Sequence, residues 1–190
     1  MRAAAMVAAG LLGLGVLGAA PARAEHGDWA VSVEGGVGDY TGALGSSLNT
    51  GGTWGLRVER MATSVLQLGL AYVGSANQIA GMRNENGSRP VLQRDGGELS
   101  LKALLLEGWL RPYVEAGAGL ARFHVRQGEP GPDLQSSTSL VLPLAVGVQA
   151  HAGVVRVGAG LGYETFVAGN PARRGGGQRL NGQLSLGATF

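Results

Sequence analysis

Apolar residues alternate with small or polar ones along most of the chain, with the two-residue period of strands. Eight segments carry the pattern, at about 28–37, 53–60, 64–73, 98–106, 110–124, 139–150, 154–167 and 179–190. In the third, Leu66, Leu68, Leu70 and Tyr72 alternate with Gln67, Gly69 and Ala71. In the seventh, Val155, Val157, Ala159, Leu161 and Tyr163 alternate with Arg156, Gly158, Gly160, Gly162 and Glu164. No long helical period competes with these strands.

The face opposite the large aliphatic residues is mostly glycine, alanine and serine with scattered charges. Such a face suits the narrow interior of a small barrel better than it suits bulk water, and it turns the aliphatic face toward lipid. The connections agree. Those at 38–52, 74–97, 125–138 and 168–178 are long, and they alternate with short ones at 61–63, 107–109 and 151–153. The pattern predicts an all-β fold: an eight-stranded antiparallel transmembrane β-barrel with short periplasmic turns and long extracellular loops. An even strand number lets the sheet close and leaves no edge in lipid.

Composition adds an address. Residues 1–24 hold a basic start (Met1-Arg2), an apolar stretch from Ala3 to Ala20, and Ala22-Arg23-Ala24 as a cleavage motif, which reads as a removable export signal. The barrel domain is then 25–190, expected in the cell outer membrane after export through the inner membrane. Removing Arg2 and Arg23 from the 15 basic residues leaves 13, equal to the 13 acidic ones. The basic excess therefore belongs to the leader, and nucleic acid is not an expected partner. Cysteine is absent, which excludes disulfides and thiolate metal sites. No cofactor or metal is expected, because His26, His124 and His151 are dispersed along the chain.

Two runs of residues, together with the export signal, resemble the small eight-stranded outer-membrane barrels, the OmpA/OmpX/OmpW-like group. One is Arg111-Pro112-Tyr113-Val114-Glu115-Ala116-Gly117-Ala118-Gly119-Leu120, similar to a strand common in that group. The other is the terminal Gly182-Gln183-Leu184-Ser185-Leu186-Gly187-Ala188-Thr189-Phe190. The resemblance implies insertion by the barrel assembly machinery, with Leu184, Leu186 and Phe190 in the assembly signal. It also implies an internal polar network.

Strand parity places Glu34, Arg57, Glu59, Glu98, Lys102, Arg111, Glu115, Arg156 and Glu164 in the lumen, where charges should pair. The same parity puts Trp29, Trp54, Tyr72, Trp109 and Tyr163 in two aromatic belts. Arg83, Arg89, Arg94, Arg173 and Arg174 fall in long outer loops, with Arg179 at the edge of the fourth, where they could meet lipopolysaccharide phosphates. His124 is the histidine nearest the outer rim, with no Ser or Asp expected beside it, so an enzyme is not expected. The functional expectation is a monomeric structural or surface-interaction protein, its lumen plugged by polar side chains, with outer-membrane lipid and lipopolysaccharide as partners. A narrow channel for small or hydrophobic solutes is the alternative, and a lipid-modifying rim enzyme a third reading.

Overall fold

The computed structural model describes residues 29–42, 44–83, 87–126, 136–168 and 177–190. The expected leader, Arg173 and Arg174 lie outside the described residues. The strands are β1 (Trp29–Gly42), β2 (Gly51–Met61), β3 (Leu66–Gln78), β4 (Val91–Leu104), β5 (Leu110–Arg126), β6 (Ser137–Ala152), β7 (Val155–Ala168) and β8 (Gly177–Thr189). Each pairs antiparallel with the next, and β8 pairs with β1 to close the barrel. At the seam, Phe190 N donates to Trp29 O at 2.9 Å and Trp29 N donates to Phe190 O at 3.2 Å. Closure pairs every strand on both sides. Segments 62–65, 105–109 and 153–154 connect strands at one end; 43–50, 79–90, 127–136 and 169–176 connect them at the other.

The wall follows the period-two pattern. Leu68, Leu70, Leu99, Leu101, Leu144, Leu161, Leu184 and Leu186 are exposed on the outside, whereas Arg57, Glu59, Ser100, Lys102, Gln149 and Arg156 are buried inside. Two aromatic residues cover glycines across strand pairs. Tyr113 lies inside against its register partner Gly147 and against Gly160, and Trp54 lies outside over its partner Gly74. A Cβ at any of these glycines would run into the ring that covers it.

The strands overrun the sequence-based limits at the long-loop end. β1 reaches Gly42, β3 reaches Gln78, and β4 starts at Val91 rather than 98. The cause is a change of face. Near the long loops, Tyr40, Leu92, Phe123 and Phe166 turn inward and are buried, while Asp39, Arg122 and Thr138 turn outward. The period continues but its apolar phase reverses, so it reads as an interruption.

The reversal builds a second interior. Tyr40, Leu44, Leu48, Ile79, Leu92, Ala121, Phe123, Val141 and Phe166 form a buried apolar cluster across the long-loop end of the lumen. Phe123 and Phe166 meet edge to face at 5.3 Å between ring centroids. Leu44 and Leu48 belong to the segment after β1. They are pinned by the bridge Leu48↔Ile79 and by Asn49 N donating to Gln78 O and Ala80 N to Ser47 O, both at 2.9 Å. The lumen is therefore not lined by small and ionised residues throughout, as parity alone implied. Its long-loop end is mostly apolar, with Ser75, Asn77 and Ser139 also buried there.

Candidate functional site: a two-layer charged lumen

Beneath the apolar cluster, the barrel axis holds two layers of ionised side chains. Along β4 the inward order is Leu92, Arg94, Glu98, Ser100 and Lys102, which steps from the apolar cluster through both layers.

The lower layer contains Glu34, Arg57, Glu59, Lys102, Glu115 and Arg156. Arg57 Nε donates to Glu34 Oε1 at 2.6 Å, and its Nη1 reaches Ser100 Oγ at 3.1 Å and also Glu115. Glu59 accepts from both Lys102 and Arg156. Lys102 Nζ is 3.6 Å from Glu115 Oε2 and 4.6 Å from the centre of the Tyr113 ring. The upper layer contains Arg94, Glu98, Glu164 and Arg179. Arg94 Nη2 donates to Glu98 Oε1 at 2.6 Å, and its Nη1 lies 2.8 Å from Glu164 Oε2. Arg179 Nη1 and Asn181 Nδ2 donate to Glu164 Oε1 at 3.1 and 2.9 Å. The Arg179 guanidinium packs against Gly38, 5.6 Å from the Tyr40 ring centre.

Each layer balances. Three bases face three acids below, and two bases face two acids above. Burying ten charges is tolerable only with this pairing, because an unpartnered ion in a dry interior carries a desolvation cost of several kcal/mol or more. Below the lower layer a cavity of about 670 Å³ opens at the short-loop end beside Trp29, Glu59, Gln67, Trp109 and Arg111, but within the layers little space remains between side chains. A cavity of about 40 Å³ lies between the layers beside Glu34, Arg57, Glu98, Glu115 and Glu164, and one of about 10 Å³ lies beside Ser32, Gln149 and Arg156. The larger has room for a few waters at most.

Of the expected network residues, Glu34, Arg57, Lys102, Glu115 and Arg156 meet in the lower layer and Glu164 in the upper. Arg111 joins neither. Its inward parity stands, but β5 begins at Leu110, so Arg111 sits at the rim and its Nε donates to Gly108 O at 2.9 Å. Arg94 is corrected from a loop residue to a fully buried strand residue, because β4 starts seven positions earlier than the sequence pattern gave. Arg179 is likewise buried in β8. With Arg94 and Arg179 in and Arg111 out, the five-acid, four-base lumen of the sequence reading becomes five and five. Arg83 and Arg89 are exposed beyond β3, with Arg89 Nη1 3.4 Å from Gln78 Oε1.

On the outer wall, Trp29 and Trp109 are exposed at the short-loop end, with the Arg60 guanidinium 5.4 Å over the Trp29 ring. Trp54 and Tyr72 are exposed farther up, and Tyr163 is half-buried opposite Leu180 and Leu144. Leu184 and Leu186 face outward from β8, and Phe190 is exposed at its end. The early start of β4 also brings Asp95 beside His124, with Asp95 Oδ2 4.0 Å from His124 Nδ1, where the sequence reading placed no acid. Among the described residues no group of His, Asp and Glu is arranged to hold a metal ion.

No protein-family model matches the sequence, and no curated protein matches it. Solved structures do match. Neisserial surface protein A (NspA) superposes with a TM-score of 0.67 at 17% identity, over 86% of this chain and 97% of that one. The N-terminal β-barrel domain of Pseudomonas aeruginosa OprF gives 0.55 at 14% identity, over 87% and 100% of the two chains. The outer membrane protein OprG from Pseudomonas aeruginosa gives 0.53 at 12% identity, over 87% and 97%. At these identities the likeness is one of fold: the chain has the closed eight-stranded antiparallel β-barrel fold of small outer-membrane proteins.

Proposed function

We propose that this chain is an integral outer-membrane protein with a structural or surface-interaction role in a Gram-negative envelope, exported by its leader and closed along its lumen. The observation that carries this reading is the wall: aliphatic residues exposed outside a barrel whose interior is charged. On β5 the outward residues are apolar or alanine from Leu110 to Leu120, and Arg122 follows. That run rises roughly 33 Å along the strand at about 3.3 Å per residue. A strand tilt of about 40° projects it to roughly 25 Å, the height of the apolar band of such barrels.

The aromatic residues at Trp29 and Trp109 suit one interface, and Trp54, Tyr72 and Tyr163 the other. The exposed Leu184, Leu186 and Phe190 beside the closing seam suit recognition by the barrel assembly machinery. Arg83 and Arg89 stand on the long-loop end, available to a surface partner or to lipopolysaccharide. Closure of the sheet on itself favours a monomer. Paired charges, small cavities and the apolar cluster above them support a lumen that does not conduct.

Membrane fractionation followed by gel mobility with and without heating tests the reading. The protein is expected in the outer-membrane fraction, with a folded band that shifts on heating. Recovery in the soluble wash without detergent would overturn it. In a planar bilayer the wild type is expected to be silent; a large steady conductance would replace the closed lumen with a narrow channel.

A further inference from the structure

We propose that the outer wall of β5 is a binding site for a phosphorylated lipid, with Arg122 and Arg126 holding headgroup phosphate and an alanine trough beneath them taking an acyl chain. This rests on the membrane reading above and deepens it by assigning a site.

Two separate observations meet on this strand. The first is a column of basic groups. Outward from β5 stand Arg122, His124 and Arg126, directly above Leu120, where the wall ceases to be apolar. Asp95 is the register partner of Arg122, and its Oδ2 lies 4.0 Å from His124 Nδ1. It accepts from Tyr72 Oη at 2.6 Å and from Gln93 Nε2 at 3.0 Å. Among the described residues, Arg122 has no ion-pair partner. Arg126 is exposed, and its Nε donates to His124 Nε2 at 3.1 Å. Arg122 and Arg126 are about 13 Å apart along the strand, a spacing their long arms can close on one headgroup or share between two phosphates.

The second observation is a trough in the apolar band. Below Leu120 the outward residues of β5 are Ala118 and Ala116. They lie opposite Leu99 and Leu101 of β4, and Ala116 lies opposite Leu144 of β6. Short side chains between leucines leave a furrow, and Ala116 at its lower end also lines an outer-wall groove of about 610 Å³ with Leu101, Ala103, Leu144, Val146 and Leu161. From Arg122 to Ala116 the strand runs roughly 20 Å, about the length of a long acyl chain. A lipid seated with its phosphate on the arginines would place a chain along this furrow. Neither a free anion nor a neutral lipid uses both features.

Native mass spectrometry of the full protein in detergent micelles, titrated with lipid A and with dephosphorylated lipid A, tests the proposal. Wild type is expected to bind lipid A about tenfold more tightly than R122Q/R126Q. The two proteins are expected to bind the dephosphorylated form alike, and R60Q, at the other end of the barrel, should match wild type. The double variant A116L/A118L keeps the charges and fills the furrow, and it should also lose several-fold in affinity. Equal lipid A binding by wild type and R122Q/R126Q would overturn the site, as would retention of dephosphorylated lipid A at full wild-type affinity. Displacement of the lipid by millimolar inorganic phosphate would overturn the lipid assignment in favour of a free-anion site. Heat-modifiable mobility of each variant, measured in parallel, separates these failures from failure of the membrane reading itself.

Discussion

Arg94 is the charge whose loss the upper layer can least absorb. It is fully buried and touches both acids of the layer, Glu98 at 2.6 Å and Glu164 at 2.8 Å. The two acids differ in what else they have. Glu164 also accepts from Arg179 and Asn181, whereas Arg94 is the ion-pair partner of Glu98 among the described residues. Arg94→Gln therefore strands Glu98 as a buried charge, and breaking a buried pair in this way costs about 3–5 kcal/mol. Glu98→Gln does less harm. Arg94 keeps Glu164, and the new amide oxygen can still accept from it, so the cost is about 1.5–3 kcal/mol, that of a charge-assisted hydrogen bond. In the double variant the stranded carboxylate is gone. Groups coupled this closely interact by about 0.5–3 kcal/mol, so R94Q/E98Q is expected to be more stable than R94Q alone. Urea unfolding in micelles, followed by tryptophan fluorescence, measures all four corners of the cycle. A double variant whose destabilisation equals the sum of the singles would refute the pairing, and an Arg94→Gln cost below about 1 kcal/mol would refute the burial argument.

Two further outcomes follow from the walls of the barrel. A Cβ at Gly160 would lie 2.6 Å from the Tyr113 hydroxyl. Gly160→Ala should therefore cost about 1–3 kcal/mol by overpacking, and adding Tyr113→Phe should recover most of it in the same urea assay. On the lipid face, Leu144→Lys near the middle of the apolar band should cost about 2–4 kcal/mol and Thr138→Lys near its upper limit about 0–1; equal costs in lipid vesicles would show that no depth gradient crosses the wall.

The barrel was legible because strand alternation is local and survives every uncertainty about pairing. Leu66, Leu68 and Leu70 announce an apolar face without reference to any other part of the chain. The lower charge layer was legible for the same reason, since inward parity alone selects Glu34, Arg57, Lys102, Glu115 and Arg156. The upper layer was only half legible. Glu98 and Glu164 were assigned inward, but their bases were not, because Arg94 and Arg179 lie where the apolar phase reverses and the strands seem to stop. Their neighbours Asp95-Gly96-Gly97 and Gly175-Gly176-Gly177 have loop composition. Leu44, Leu48 and Ile79 were invisible for a different reason. They reach the lumen from connecting segments, by tertiary folding that no periodicity records.

The charge count carries a signal that the sequence pattern missed. A lumen of five acids and four bases leaves one buried acid without a partner, at a cost comparable to the whole stability of a small domain once desolvation is included. That imbalance, taken seriously, requires a missing base inside or an acid misplaced from the rim; two bases, Arg94 and Arg179, were missing, enough to replace Arg111 at the rim and to partner the remaining acid. The same reasoning explains why the interior changes character along the axis. Where the wall faces apolar surroundings, the inside can carry polar groups, because the outward aliphatic rows already supply the sheet's apolar burial. Where the outward face becomes Asp39, Arg122 and Thr138, that burial is lost, and the sheet must gain it on the inside. Tyr40, Leu92, Phe123 and Phe166 supply it. The ion layers and the apolar cluster are thus two answers to a single change of solvent along the strands, and the apolar packing of the upper lumen follows from the need for a core.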